Sequence, residues 1–161
     1  MRTFLNILTT IALLALMGCS GSKEGDNYSQ VSAEDPVMNA AIEKAKATVG
    51  DFVRAFQAQK AGAKDYYVKK PFRTPAGEQE HMWIEVTKVE NGVLQGQVAN
   101  EAEETREVKM GQRVSLKTSE ISDWKYQDGN KLIGGYTIRY FVDKMSPKER
   151  EAFLKDAGFE L

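Results

Sequence analysis

The sequence contains only one cysteine and one histidine among its 161 residues, and each scarcity excludes a class of site. A lone cysteine cannot form an intramolecular disulfide. Zinc and iron–sulfur sites take three or four ligands, and no His/Cys cluster exists here. Acidic and basic residues nearly balance at a formal net charge of −1, which provides no basic surface for nucleic acid. We therefore expect no metal, no other cofactor and no nucleic-acid partner.

Catalytic motifs are also missing. The sequence contains no serine or cysteine nucleophile elbow, no phosphate-binding glycine loop and no pair of carboxylates at a diagnostic spacing. This favours a protein that binds over one that catalyses.

Long apolar runs are missing except at the N-terminus. Arg2 precedes an apolar stretch from Ile7 to Met17 that only Thr9 and Thr10 interrupt. A bilayer core of roughly 30 Å takes about 20 apolar residues to span, so this stretch is too short to cross it. A positive start followed by a short apolar core is typical of a signal peptide.

The segment Leu16-Met17-Gly18-Cys19 resembles the lipobox of bacterial lipoproteins, in which the cysteine is diacylated and becomes the first residue. We interpret residues 1–18 as a lipoprotein signal peptide and Cys19 as the lipid-bearing residue that binds the membrane. More than one acyl chain is needed for stable anchoring, since each buried CH₂ contributes about 0.8 kcal/mol. By analogy with the sorting rules of bacterial lipoproteins, Ser20 rather than aspartate after the cysteine favours the outer membrane, facing the periplasm. A plain secretory signal is the alternative.

The remaining chain divides into a tether and one domain. Residues 19–35 are small, polar and charged, which predicts a flexible tether. Asp35-Pro36 combines a capping carboxylate with proline at the first helical position. Apolar residues such as Met38, Phe52 and Phe56 then recur at three- and four-residue steps. We predict an amphipathic helix over 36–59 at the start of a single domain, residues 36–161.

The strongest strand pattern covers residues 80–89 and leads into a hairpin turn. Met82, Ile84 and Val86 share one face, and the other face carries His81, Trp83, Glu85 and Thr87. Asn91-Gly92 is the favoured two-residue turn, because both positions need positive φ. A hairpin closed by this turn pairs Val89 with Leu94, Thr87 with Gly96, Glu85 with Val98, and Trp83 with Asn100.

Weaker patterns complete the domain. They predict strands over 65–72, 113–117 and 125–127 and a helix over 136–145. Ser146-Pro147-Lys148-Glu149 is a capping box that opens a last helix. The fold class is therefore α+β: an N-terminal amphipathic helix packed on a small, strongly curved antiparallel sheet or partial barrel, with a helical C-terminus.

His81 is the one candidate for general-base chemistry. Neighbouring positions on one strand face are about 7 Å apart, so Glu85 on the same strand is a poor partner for it. Asp123 could orient it from another segment. A small hydrolase or isomerase using His81 with Asp123 or Glu85 is the alternative to a binding protein, and a structural histidine is the favoured interpretation.

Residues 121–139 hold most of the remaining candidates. Gly134-Gly135 predicts space for an aromatic ring such as Trp83, Trp124 or Tyr136, and Arg139 is placed to pair with Asp123 or Glu85. We predict structural roles for Asp123 and the glycines. The candidate binding residues are Trp83, Trp124, Tyr126, Tyr136 and Arg139.

Two blocks of the sequence resemble the bacterial YegJ-like family of uncharacterised proteins. They are Glu80-His-Met-Trp-Ile-Glu-Val86 and the run from Ile121-Ser-Asp-Trp124 through Lys131 to Arg139, within a similarity that covers about residues 38–158. The resemblance implies a fold group and no activity. Related-looking small domains occur among immunity proteins of bacterial toxin systems, which is a fold-level analogy.

We expect a non-enzymatic envelope lipoprotein that binds a protein or a small ligand, with an immunity-like role as one form of this. The predicted binding face is the sheet around Trp83 together with the acidic residues 101–107. A structural envelope component is a further alternative.

Overall fold

The structure, a computed structural model, describes residues 35–161, so the predicted signal peptide, the tether up to residue 34 and Cys19 lie outside the described residues. Helix α1 spans Pro36–Ala58. Asp35 caps it: one carboxylate oxygen accepts hydrogen bonds from the backbone N–H of Val37 at 2.9 Å and of Met38 at 3.1 Å. The predicted first helix and its start are confirmed. Within the described residues, no helix is both long and apolar enough to span a membrane.

Six strands form one open sheet in which all neighbours are antiparallel, in the order β4-β3-β2-β1-β5-β6. A 3₁₀ turn over Thr118–Glu120 joins β4 to β5, and two helices follow β6. The predicted α+β class is confirmed, with a sheet that does not close. The strands are β1 Ala63–Arg73, β2 Gln79–Glu90, β3 Val93–Val98, β4 Arg113–Lys117, β5 Asp123–Asp128 and β6 Lys131–Gly134, and the helices are α2 Tyr136–Lys144 and α3 Pro147–Ala157.

Strand β1 lies in the middle of the sheet, between β2 and β5, although it contains Pro71. Its pairing with β5 ends at Lys69, opposite Asp123, so Pro71 has a strand neighbour only on the β2 side, where it faces His81. Proline has no backbone N–H to donate to a neighbouring strand. At Pro71 no strand of residues 35–161 lies on the β5 side, so no hydrogen bond is lost there.

The β2–β3 hairpin turns at Asn91 and Gly92, both at positive φ, as predicted. The pair Val89–Leu94 is confirmed, but the three pairs predicted beyond it are wrong, because a bulge lies between Val86 and Lys88. The bulge adds one residue to β2 and shifts every later pair by one. The observed pairs are Val86–Gly96, Glu85–Gln97 and Ile84–Val98.

Helix α1 covers one face of the sheet. Phe52 of α1 packs there with Val68, Ile84 and Trp124, all fully or almost fully buried. Alternate strand residues point the other way, toward what we call the distal face, which carries Tyr67, Lys69, Trp83, Asp123 and Lys125. At the β6 end of the distal face, a smaller cluster covers the sheet with residues from the C-terminal helices; its buried members are Leu132, Ile138, Val142 and Phe159.

Candidate functional site

The distal face brings together residues from β1, β2 and β5. Lys69 of β1 lies opposite Trp83 on one side and Asp123 on the other. One step along, Tyr67 lies opposite Lys125. Residues directly opposite each other in an antiparallel sheet share a face and lie about 5 Å apart, so these five side chains form one group.

Trp83 is the half-buried centre of this group. The ammonium of Lys69 lies 5.1 Å from the centre of its indole ring, and that of Lys125 lies 5.2 Å away. Cations at this distance are attracted to the ring, by about 0.5–1 kcal/mol at exposed sites and more where water is excluded. Burial lowers the pKa of Lys125, and the charges of Asp65 and Asp123 act in the opposite direction. Trp83 thus lies between two lysines that are largely withdrawn from water.

His81 lies next to this group and has Ser122 as its partner. Its Nδ1 is 2.8 Å from Oγ of Ser122, which itself donates to the backbone oxygen of Lys69 at 3.3 Å. Because the Ser122 hydroxyl donates to Lys69, its oxygen is the acceptor for Nδ1–H of His81. Burial lowers the pKa of His81 to about 4, and the positive charge of Lys69 contributes. His81 is therefore neutral at neutral pH.

The depressed pKa of His81 predicts a loss of stability in mild acid. The unfolded chain binds a proton near pH 6.5, whereas the folded chain resists until about pH 4. The contribution of neutral His81 to the free energy of unfolding is therefore fully present above pH 6.5. It is lost as the pH falls from 6.5 to 4, which lowers the free energy of unfolding by about 3 kcal/mol. Denaturant titrations of the wild type and His81→Gln across pH 4–7 measure this, and the difference between the two should shrink as the pH falls. A constant difference would contradict the assignment.

Asp123 is fully buried and is used to hold helix α2. Its Oδ1 accepts from the backbone N–H of Trp124 at 2.8 Å and of Tyr136 at 3.1 Å. Its Oδ2 accepts from the backbone N–H and the hydroxyl of Thr137, at 2.8 and 2.6 Å. Burial raises the pKa of Asp123, and the hydrogen bonds from Thr137 and Trp124 act in the opposite direction. Its carboxylate is thus directed to α2, while His81 takes Ser122 as its partner.

The predicted enzyme site is therefore dispersed. Glu85 is exposed on β2, where its cross-strand neighbours are Tyr67 and Gln97. His81 and Asp123 each have other hydrogen-bond partners, so the structure does not assemble the His81–Asp123 or His81–Glu85 pair as a general base with its orienting carboxylate.

Three of the predicted binding aromatics lie on the α1 side of the sheet. Trp124 is 2% exposed, and its indole N–H donates to the backbone oxygen of Ala45 at 3.0 Å. Tyr126 stacks on Trp124, and Tyr136 meets it edge-on. These rings fix α1 and α2 on the sheet, and Trp124 presents no surface to a partner.

Arg139 binds the backbone of β6. Its Nε donates to the oxygen of Gly134 at 2.9 Å, and its Nη2 donates to that of Leu132 at 2.7 Å. These carbonyl groups take the place of the carboxylates of Asp123 and Glu85 that we predicted as its partners. Arg139 thus has a structural role, because its guanidinium satisfies two carbonyl oxygens of the short edge strand β6 and needs no ligand for this.

The acidic residues 101–107 are fixed to the sheet by Glu80. Its carboxylate accepts from the backbone N–H groups of Glu103, Glu104 and Thr105, at 2.8, 3.0 and 2.7 Å. Burial alone would raise the pKa of Glu80, but these three hydrogen bonds outweigh it and lower the pKa. The segment begins beside the distal group, since Asn100 accepts a hydrogen bond from the backbone of Trp83 at 2.8 Å.

Sequence reasoning found Trp83 and His81 and missed four residues of this region: Lys69, Glu80, Ser122 and Lys125. A signal for one of them, Lys125, exists. Asp123 and Lys125 alternate with Trp124 and Tyr126, so a strand that buries the two aromatics must place Lys125 on the opposite face. Across residues 35–161, no group of three or more histidine, cysteine or acidic side chains is placed to hold a metal ion.

Comparisons with known proteins agree with the resemblance seen in the sequence. A family model described as an uncharacterised protein conserved in bacteria (DUF2314) matches residues 35–161. The chain is 31% identical over 132 residues to the uncharacterised protein YegJ of Escherichia coli K12, covering 82% of this chain and 84% of that protein. It is also 31% identical over 130 residues to a putative ankyrin repeat protein of Neisseria meningitidis serogroup B, NMB1133/NMB1171. That match covers 76% of this chain and 51% of the Neisseria protein. No solved structure matches the chain.

Proposed function

This chain belongs to the DUF2314 family of uncharacterised proteins conserved in bacteria, and we propose that it is a non-enzymatic binding module of the cell envelope. It binds a protein partner through the distal face around Trp83, and it is anchored to the membrane by acyl chains on Cys19. The observation that carries the binding proposal is the half-buried Trp83 between the ammonium groups of Lys69 and Lys125.

Several features support binding over catalysis. The carboxylate of Asp123 is occupied by α2, and the neutral His81 is held by Ser122. Tryptophan and exposed polar groups on a rigid sheet are typical of interaction surfaces. The relative in Neisseria is named as a putative ankyrin repeat protein and carries this region in about half of its length. Ankyrin repeats form extended binding surfaces, so a domain of this family beside them agrees with a role in protein interaction.

Affinity capture from envelope extracts tests the face. The tagged full-length chain should retain a partner that Trp83→Ser loses at least tenfold. Because Trp83 also packs against the C-terminal cluster, Glu85→Lys serves as a second variant: Glu85 is exposed, so the reversal changes the face and leaves the core intact.

Val37→Ser is the matched control, since Val37 is 63% exposed on α1, away from the distal face. It should capture as the wild type does, and thermal unfolding by circular dichroism should confirm that all variants fold. Unchanged capture by Trp83→Ser and Glu85→Lys would overturn the proposed face. No partner for the wild type would favour a structural envelope component.

The anchor is tested separately, through Cys19. Cells that express the wild-type chain and are fed radiolabelled palmitate should yield a labelled protein in the membrane fraction. Cys19→Ser should lose the label, because the thiol is the acyl acceptor, and should remain at its precursor length. Label on the Cys19→Ser variant, or a wild type without label, would overturn the lipid anchor and favour a plain secretory signal.

A further inference from the structure

Resting on the proposed binding face, we infer that its ligand presents a carboxylate to the ammonium of Lys125. The ligand is an acidic segment of a protein partner, whose carboxylate lies on Lys125 while its apolar atoms cover Trp83. This names the chemistry of the partner, which the binding proposal leaves open.

The surroundings of Lys125 carry the inference. Its ammonium lies 5.0 Å from the ring centre of Tyr67, 5.2 Å from that of Trp83 and 5.9 Å from that of Phe159. Within residues 35–161, no carboxylate oxygen lies within 4 Å of this ammonium, and no side chain or backbone group forms a hydrogen bond with it. The ammonium of Lys125 therefore lies between aromatic rings without a hydrogen-bond acceptor from the protein.

Two other lysines of the domain illustrate the contrast, since each has a carboxylate partner. Lys60 binds Asp128 at 2.6 Å, and Lys70 binds Glu120 at 2.5 Å. The two carboxylates whose charge reaches Lys125 are both engaged elsewhere. Asp65 lies 3.5 Å from Lys64, and all four hydrogen bonds of Asp123 go to its own strand and to α2.

A carboxylate supplies what Lys125 lacks. Hydrogen bonds between two charged groups are shorter and stronger than neutral ones, and they gain further where water is excluded. Burial already holds the pKa of Lys125 below its ordinary value, so a bound anion relieves a cost that the free protein carries. The rings of Trp83 and Tyr67 exclude water from two sides of the contact.

The row of residues that crosses the sheet at Lys125 favours a polypeptide ligand. It runs from Lys125 through Tyr67, Glu85 and Gln97 to Arg113, each residue directly opposite the next. Strands lie about 4.8 Å apart, so the charges alternate positive, negative, positive at steps of about 10 Å. A chain presenting acidic, basic and acidic side chains at that spacing complements the row, whereas a small anion reaches Lys125 alone.

A polyproline helix offers a probe with this spacing, because it has three residues per turn and rises about 3.1 Å per residue. The capped peptide Glu-Pro-Pro-Lys-Pro-Pro-Glu therefore places its three charges on one side, about 9 Å apart. The charge-reversed peptide Lys-Pro-Pro-Glu-Pro-Pro-Lys is its matched control, and phenyl phosphate represents a phosphate ligand.

The readout is the pair of indole N–H signals in the ¹H–¹⁵N NMR spectrum of the full-length chain in a nonionic detergent. The chain has two tryptophans, and Trp83→Ser identifies the signal of Trp83. The indole of Trp124, buried and bonded to Ala45, is an internal reference. The acidic peptide should move the Trp83 signal saturably and leave that of Trp124 unmoved.

Lys125→Gln should weaken this binding at least tenfold, and Lys148→Gln, which alters an exposed lysine of α3, should not. Equal binding of the charge-reversed peptide, or unchanged binding by Lys125→Gln, would overturn the carboxylate inference and leave the binding face intact. Tighter binding of phenyl phosphate than of the peptide would overturn it in favour of a phosphate ligand. No shift with any probe would overturn it too, and the capture experiment decides the face independently.

Discussion

Replacing Gly134 with alanine should lower the free energy of unfolding by about 2–5 kcal/mol. Gly134 has φ of +74°, a conformation that costs residues with a Cβ about 1–2 kcal/mol. An added Cβ would also lie 2.4 Å from the backbone oxygen of Trp124 and 2.5 Å from its ring. Trp124 is buried among other rings and cannot move away, so the overpacking adds about 1–3 kcal/mol.

Gly129→Ala separates the cost of the backbone conformation from the cost of overpacking. Gly129 has φ of +63°, but an added Cβ there meets nothing within 4 Å, so it carries the backbone cost alone. Urea titrations of both variants should show the larger loss for Gly134→Ala, together with a shift in the near-ultraviolet signal of the tryptophans. Equal losses would mean that the ring of Trp124 yields to the methyl group.

The second large effect is expected for Asp123→Ala, which should cost about 3–5 kcal/mol. The substitution removes the acceptor for the backbone N–H groups of Tyr136 and Thr137 and for the Thr137 hydroxyl. A buried donor without a partner costs about 1–3 kcal/mol. Helix α2 has no other side-chain cap, since its N-cap residue is Gly135. Asp123→Asn should also destabilise, because every group that faces the carboxylate is a donor and the amide NH₂ would oppose one of them.

Denaturant titration measures the loss, and hydrogen exchange locates it. The amides of Tyr136 and Thr137, at the start of α2, should lose protection in Asp123→Ala before those of the sheet do. Asp128→Ala is the matched control on the same strand, because Asp128 pairs with Lys60 at the surface, where such pairs contribute at most about 1 kcal/mol. Unchanged protection at the start of α2 would show that Asp123 does not hold it.

Local signals in the sequence predicted the elements well. Asp35-Pro36, Asn91-Gly92 and the capping box at Ser146 each determine the geometry of their own three or four residues, and each is where we predicted it. The steric role of the glycine pair is confirmed at Gly134, with Trp124 as the ring. These features depend on neighbours in the chain, which the sequence displays directly.

What depends on distant neighbours was not predictable in this way. The turn fixes the register only as far as the pair Lys88–Gln95, since the bulge at Thr87 arises where β2 must approach Gly96. A Cβ at Gly96 would lie 2.1 Å from the backbone oxygen of Glu85. The chemistry of the distal face is likewise tertiary, because Lys125 meets Tyr67 and Trp83 only after β5 has paired with β1.

That pairing has a consequence for how the chain is made. Strands β1 to β4 follow one another along the chain and pair in order, whereas the second neighbour of β1 begins only at Asp123. During synthesis from the N-terminus, the edge of β1 that later accepts β5 thus stays open while the 49 residues between β1 and β5 are added. It carries Tyr66 and Val68, and its only proline lies past the stretch that pairs with β5.

Open apolar edges recruit strands from other chains. In the finished sheet both edge strands are short: β6 has four residues and β4 has five. Strand β4 also carries the exposed charges of Arg113 and Lys117. The unfinished sheet instead exposes one edge of β1, an 11-residue strand that lies inside the finished sheet. Nascent or truncated chains that end before β5 are therefore the species in need of a chaperone, and residues 123–161 protect the sheet as much as they complete it.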